Sequence, residues 1–310
     1  MYNHLFGPVP SRRLGMSLGV DLIPHKVCSF NCIYCECGKT TDLTTDRREY
    51  VPLKEVFSEL KHFFRHNPAP DYITFSGAGE PTLHSGMGEV LLFLKASWPG
   101  IPKAVLTNSC LMGDPVVRRE LLAANVVLPS LDAATVQAFR RINRPPGWIK
   151  LEAVINGLIE FRKEFDGEIW LEVLILPGYN NDPENLEALR DSIKEINPHR
   201  IQLNTLDRPG TVAGLNPAGR VELEEIARRW EFENLEIILP PGDRKHNQSY
   251  RTDVENAIRE TLSRRPCTLE DLEKILGIHI NEVNKYLGAM EESGIIETSE
   301  QERGTFYHLK

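Results

Sequence analysis

Cys28, Cys32 and Cys35 stand in the run CSFNCIYC, a C-x3-C-x2-C spacing that puts three thiols within eight residues. No other feature restricts the chain more. A structural zinc ion wants four ligands, usually in two separated pairs, and three adjacent thiolates do not supply them. Ferredoxin-type runs carry a fourth cysteine that completes their cluster. Three thiolates can instead hold three irons of a [4Fe–4S] cluster and leave the fourth iron open to a ligand. Other readings of the same residues stand beside this one. A redox C-x2-C pair leaves Cys28 unexplained. Cys37 brings a fourth thiol within ten residues, so a four-thiolate zinc knot or a closed cluster is conceivable, although the loop is short for wrapping one ion. We read Cys37 as a small residue near the cluster. Cys110 and Cys267 are isolated and read as buried apolar filler.

Around this loop, strand-like and helix-like segments alternate. MSLGVDLI, DYITFS, IPKAVLTN, NVVLPSLD, EIWLEVLIL and HRIQLNTL read as strands. Each is followed by a helical pattern, such as LKEVFSELKHFFRH with Val56, Leu60, Phe63 and Phe64 on one face. Six such units predict a parallel sheet covered by helices. Right-handed crossovers curl it into a partial (β/α)6 TIM-like barrel over residues 1–240. NLEIILP is a candidate short final strand.

Alternation along the strands sorts their faces. Ile169, Leu171, Val173 and Ile175 are wholly apolar and belong against the helices, which turns Glu172 inward. The same count turns Asp21, Gln202 and Asn204 inward and puts Ser130 and Asp132 on one face at the end of the fourth strand. Polar groups inside a barrel mark a ligand site or satisfied structural pairs. Asp132 and Asn204 lie at the rim where barrel enzymes place their chemistry. Asn108 ends the third strand. His25 and His84 are further rim positions. Arg12 and Arg13 precede the first strand, where they either reach an anionic substrate or form a solvated arm. Arg140, Arg141 and Arg144 form a basic group that binds a carboxylate or phosphate, or is an ordinary solvated face.

The run Cys28-x3-Cys32-x-Tyr34-Cys35 resembles the signature of the radical S-adenosylmethionine (SAM) superfamily. YITFSGAGEPTLH resembles that family's glycine-rich element, with Gly77, Gly79, Glu80 and Pro81 at the matching positions. The resemblance covers roughly residues 15–240. It implies that the three cysteines hold a [4Fe–4S] cluster and that Tyr34 packs near the adenine of SAM. It implies that the GAGEP backbone and acid contact the methionine amino group and that Asn108 contacts SAM; Ser130, Asp132 and Asn204, placed at the strand ends by the alternation, are the further candidate SAM contacts. It also implies reductive cleavage of SAM by an electron from a ferredoxin or flavodoxin, giving a 5′-deoxyadenosyl radical that abstracts hydrogen from a substrate. FGPVPSRRLGMSLGVDLIPHKVCSFNCIYCECGKT and PSLDAATVQAFRRINRP resemble a subgroup distantly related to the wyosine-forming tRNA enzymes. That subgroup implies no substrate.

PPGDRKHNQSYRTD is polar and turn-rich, so residues 241–251 read as a linker. Residues 252–310 then show three helical patterns and a two-stranded pattern turning at Glu302–Gly304, which resembles a winged helix-turn-helix. Such domains usually read DNA. Here seven Lys or Arg face twelve Asp or Glu, and Lys285 is the one base on the third helix. A phosphate-facing surface needs the opposite balance. A protein- or peptide-docking module, or a lid on the barrel, therefore fits better than a duplex-DNA reader. The whole chain carries a formal charge of −8, which weighs against RNA-base modification of the wyosine type. A redox-sensing Fe–S transcription regulator is the alternative from another class; the GAGEP run and the polar barrel interior oppose it. Clustered cysteines and the lack of an 18-residue apolar run predict a cytoplasmic protein with no membrane span. A protein, a peptide or a small molecule remains open as substrate.

Overall fold

The computed structural model describes residues 2–11, 13–77, 79–206, 210–238, 252–264, 266–301 and 304–310. Arg12, the proposed linker 241–251 and Glu302 lie outside them. The first strands are β1 (Leu5–Ser11), β2 (Gly15–Val20) and a short parallel pair, β3 (Val27–Cys28) with β4 (Asp42–Leu43), which frames the cysteine loop. Next come β5 (Tyr72–Phe75), β6 (Lys103–Thr107), β7 (Val126–Pro129), β8 (Glu168–Ile175), β9 (Arg200–Thr205) and β10 (Leu235–Ile238). One eight-stranded sheet has the order β1-β2-β5-β6-β7-β8-β9-β10. Only β1 runs antiparallel, paired with β2 through an irregular register between Phe6 and Val9. Pattern reading missed β1 because Pro8 and Pro10 argue against a strand. On an edge strand their missing N–H groups cost no ladder bond.

Helices α1 (Leu53–His66), α2 (Met87–Ser97), α3 (Pro115–Leu121), α4 (Val136–Ile142), α5 (Leu151–Glu164), α6 (Pro183–Ile196) and α7 (Arg220–Trp230) connect the parallel strands. α1 buries Val56, Leu60 and Phe63, the stripe its spacing implies. α3 and α6 open on Asp114 and Asp182, whose carboxylates cap the first turn before a proline. Ile169, Leu171, Val173 and Ile175 of β8 join the main core with Phe161, Leu189 and Ile193 of the helices. Trp170 faces the other way and packs with Ala104, Val126, Leu128 and Leu14 in a separate cluster.

Leu14 and Arg13 show that the sheet curls, because the β1–β2 connection reaches strands far along the order. The Arg13 guanidinium pairs with Glu172 of β8 and donates to Gln202 Oε1 of β9 at 3.4 Å. Gln202 in turn donates to Glu236 Oε1 of β10 at 2.7 Å. Arg13 is thus neither a solvated arm nor a substrate group at the rim. It sits before the N-terminal end of β2, away from the cysteine loop, and ties the start of the sheet to its far strands.

The C-terminal residues form α8 (Thr252–Arg264), β11 (Cys267–Thr268), α9 (Leu269–Leu276), α10 (Ile280–Glu292), β12 (Ile296–Gln301) and β13 (Gly304–Leu309). The strands make a small antiparallel sheet ordered β11-β13-β12. Thr268 and Asp271 close a reciprocal capping box at the start of α9. Ile258, Cys267, Leu272, Val283 and Leu287 fill a core of their own. This unit lies against β1, where the rings of Phe6 and His279 stack at 4.9 Å. Among the described residues no helix is long and apolar enough to cross a membrane.

Candidate cofactor site at the strand ends

The cysteine loop leaves the C-terminal end of β2 and is held from several sides. Asn31 N donates to Asn143 O at 3.1 Å and Ile33 N to Ile142 O at 3.0 Å, so the end of α4 grips its middle. Thr211 N donates to Ile33 O at 2.8 Å from the connection after β9. Each motif sulfur then meets a side-chain N–H donor. Asn108 Nδ2 donates to Cys28 Sγ at 3.5 Å, Asn143 Nδ2 to Cys32 Sγ at 3.7 Å, and Lys26 Nζ to Cys35 Sγ at 3.0 Å. Cys37 differs: its single S–H lies between the Gly77 carbonyl, at 4.0 Å, and Cys35 Sγ.

Electrostatics separates the thiols further. Burial, and then Glu80, pushes Cys28 up to about 12. Burial also raises Cys32 well above the usual thiol range. Cys35 is held down at about 5 by the hydrogen bond from Cys37 and, after burial has opposed it, by Lys26. Cys28 and Cys32 therefore do not ionise on their own, and metal binding would have to displace their protons. The N–H donors fit such anionic sulfurs, and hydrogen bonds to ligand sulfurs are a known lever on Fe–S clusters. Among the described residues no three His, Cys, Asp or Glu side chains close on a position for a single metal ion.

The glycine run passes close below. A Cβ on Gly77 would meet Asp21 Oδ1 at 2.3 Å, and one on Gly79 would meet the Val27 carbonyl at 2.2 Å. At 79 the obstacle is backbone, so packing demands glycine there; at 77 it is the end of a side chain. Glu80 is 2% exposed. Its Oε1 accepts from Thr82 N, Thr82 Oγ1 and Thr107 Oγ1 at 3.1, 2.6 and 2.7 Å, while Oε2 accepts from Asn108 N at 2.7 Å. Glu80 thus caps the 3-10 turn Pro81–Leu83 and fixes the end of β6. Burial still raises its carboxyl above the ordinary value. Asp132 accepts from Tyr34 Oη at 2.5 Å, Asn143 Nδ2 at 2.8 Å and Leu174 N at 3.0 Å. Its visible work is to hold Tyr34 and Asn143.

The predicted residues therefore divide. Cys28, Asn108 and Glu80 form one hydrogen-bonded group, Cys32, Asn143, Asp132 and Tyr34 a second, and Cys35 is held by Lys26. Ser130 is tied to Thr107 and Ser109 through its backbone, on the neighbouring strand end. Asn204 is buried, and its Oδ1 finds no partner among the described residues. An orphaned buried acceptor is costly unless a ligand N–H completes it, which fits a bound molecule with donors such as SAM. His84 is fully buried and bonded to Val51 O and Gly86 N, so it is a structural residue rather than a rim group. Arg140, Arg141 and Arg144 are exposed, and Arg141 donates to Gly178 O. Sequence reasoning missed Lys26 and Asn143. Asn143 carries one signal, a polar residue directly after buried Ile142 at the end of α4.

Beside the loop lies a cavity of about 480 Å³. Cys35, Cys37 and Lys39 line one wall; Thr268, Glu270 and Tyr307 of the C-terminal unit line the other. His25 also opens on it.

Residues 22–190 match the family model of the radical SAM superfamily, and the chain belongs to that superfamily. It is 37% identical to a protein of Brachyspira hyodysenteriae named GTPase Obg, over 94% of this chain and 43% of that one. It is 32% identical to a UPF0026 protein of Helicobacter pylori strain J99, over 88% and 87% respectively. The chain thus spans less than half of the Brachyspira protein. Among solved structures, a radical SAM methyltransferase from Sphaerobacter thermophilus superposes with a TM-score of 0.54 at 16% identity, covering 71% of this chain and 65% of that one. That likeness concerns the fold.

Proposed function

We propose that this radical SAM protein is an enzyme in which Cys28, Cys32 and Cys35 hold a [4Fe–4S] cluster and the strand ends bind SAM. The observation that carries the reading is the set of three side-chain N–H groups aimed at these sulfurs, against the carbonyl facing Cys37. Members of the superfamily bind such a cluster and SAM, and when bound these supply one-electron cleavage of the sulfonium to a reactive carbon radical. The chain's residues do the rest. Asn108 and Asn143 orient Cys28 and Cys32. Glu80 holds the Asn108 amide and the turn that follows the glycine run. Asp132 fixes Tyr34 at the loop. Asn204 offers a buried acceptor to a ligand N–H.

The electron comes from a ferredoxin- or flavodoxin-type donor in a reducing cytoplasm, where free thiols persist. We read residues 252–310 as a winged helix, a reading that the small antiparallel sheet and three helices support, and assign them to docking a protein or peptide substrate. Two observations support this. The unit forms one wall of the cavity whose other wall carries Cys35 and Cys37. Its excess of acidic residues suits a polypeptide partner better than duplex DNA.

The test is anaerobic reconstitution followed by reduction with dithionite in the presence of SAM. Methionine and 5′-deoxyadenosine should form, and SAM should change the EPR spectrum of the reduced cluster. A full cluster whose spectrum SAM does not alter would end the reading.

A further inference from the structure

Lys26 is the one ammonium among the described residues that hydrogen-bonds a motif cysteine, its Nζ lying 3.0 Å from Cys35 Sγ. Its placement is costly in two ways. The residue is only 3% exposed, although lysine is seldom buried without a partner. Its backbone is left-handed, with φ 61°, a conformation that a long side chain adopts at a penalty. The fold enforces it, because Lys26 O accepts from Thr41 N at 3.1 Å, Asp42 N at 3.2 Å and Thr41 Oγ1 at 3.3 Å. These bonds tie the start of the cysteine loop to its end and turn the side chain inward.

A hydrogen bond and a positive charge at a ligand sulfur both withdraw electron density from it. Each makes a cluster easier to reduce, and both grow stronger in a site shielded from water. We infer that Lys26 tunes the cluster, raising the potential at which it accepts one electron from its donor. It is a positioning and tuning residue acting through Cys35, not a ligand. The inference rests on the cluster reading above.

The test is a redox titration of the reconstituted parent and of Lys26→Met and Lys26→Gln, reduced with dithionite through mediators and read by EPR. Iron content is measured on every sample. Lys26→Met removes both charge and donor. At a fixed poise its ratio of reduced to oxidised cluster should fall about tenfold, which is about 59 mV for a one-electron couple. Lys26→Gln keeps an N–H donor and should fall between Met and the parent. Full iron with unchanged midpoints in both variants would overturn the inference. Loss of the cluster from both would overturn it too, assigning Lys26 to assembly instead. Absence of a cluster from the parent would sink the underlying reading, a result the iron assay separates from the others.

Discussion

Asn281 Nδ2 donates to Asp21 Oδ2 across 3.2 Å, joining residues 260 positions apart. The same carboxylate accepts from Ile23 N at 3.3 Å and lies against Gly77, where a Cβ would crowd it. The C-terminal unit is thereby linked, through one acid, to the glycine run. Asn281→Ala removes a buried partner from Asp21 and should cost about 1–3 kcal/mol. We expect a lower urea midpoint and weaker SAM binding, with iron content unchanged. Parental SAM affinity in a destabilised variant would show that the link serves docking of the C-terminal unit alone.

The donor pattern predicts how the cysteines differ. Cys28→Ala, Cys32→Ala and Cys35→Ala should each lose the cluster's visible absorbance and most of the iron. Cys37→Ala should keep both, since its sulfur faces a carbonyl rather than an N–H. Full iron in Cys35→Ala, or loss of it in Cys37→Ala, would reverse the ligand assignment.

The contrast between Cys28 and Lys26 shows what the sequence could tell. The cysteine spacing is local, so it is readable in one line of residues. The alternation that turned Glu172 and Gln202 away from the helices is local too. Lys26 gave no signal, because its burial depends on Thr41 and Asp42 folding back to its carbonyl. Asn143 meets Cys32 across 111 positions, and no periodicity records such a pairing. The resemblance makes Glu80 a SAM contact; its acceptors also serve Thr82, two residues on, and Thr107 and Asn108, which reach it only when β5 and β6 lie side by side. The pairing of Arg13 is hidden in the sequence for the same reason. Its partner Glu172 comes within reach only because the sheet curls.

Arg13→Ala should therefore act on stability and not on the site. It leaves Glu172 in a half-buried position without its cation, a loss on the order of 3 kcal/mol. Chemical unfolding should show the drop, while iron content and SAM binding at low temperature stay at parental values. A neutral effect on unfolding would mean that Gln202 and solvent satisfy Glu172 unaided.

The two glycines should differ in severity. Alanine at 77 meets the end of the Asp21 side chain, which can rotate aside. Alanine at 79 meets the Val27 carbonyl and Ile23 Cγ2 at 2.2 and 2.5 Å, and that backbone leads directly into Cys28. Gly79→Ala should weaken SAM binding at least tenfold more than Gly77→Ala, about 1.4 kcal/mol at constant temperature, and should also lower iron retention. Titration of both variants with SAM, followed by EPR, gives the order directly; the reverse order would show that Asp21, not the loop backbone, controls the site.

The contact between the C-terminal unit and β1 carries its own pH dependence. Burial holds the His279 imidazole down at about 4 from 6.5, and neighbouring His4 and His25 add to the effect. The ring therefore stacks on Phe6 as a neutral group, 3.6 Å from Asp21 Oδ2. In the unfolded chain the same ring takes a proton near 6.5. The unfolded state thus binds the proton first as pH falls, so stability is full above about 6.5 and declines between 6.5 and 4. The largest loss this shift allows is about 3 kcal/mol, and attraction of the protonated ring to Asp21 reduces it. Thermal unfolding scans of the parent should show a falling midpoint across that window. His279→Asn removes the titrating ring and should flatten this part of the profile, at a lower midpoint near pH 7 because the stacking on Phe6 is gone. An equally steep fall in His279→Asn would assign the acid sensitivity to other groups.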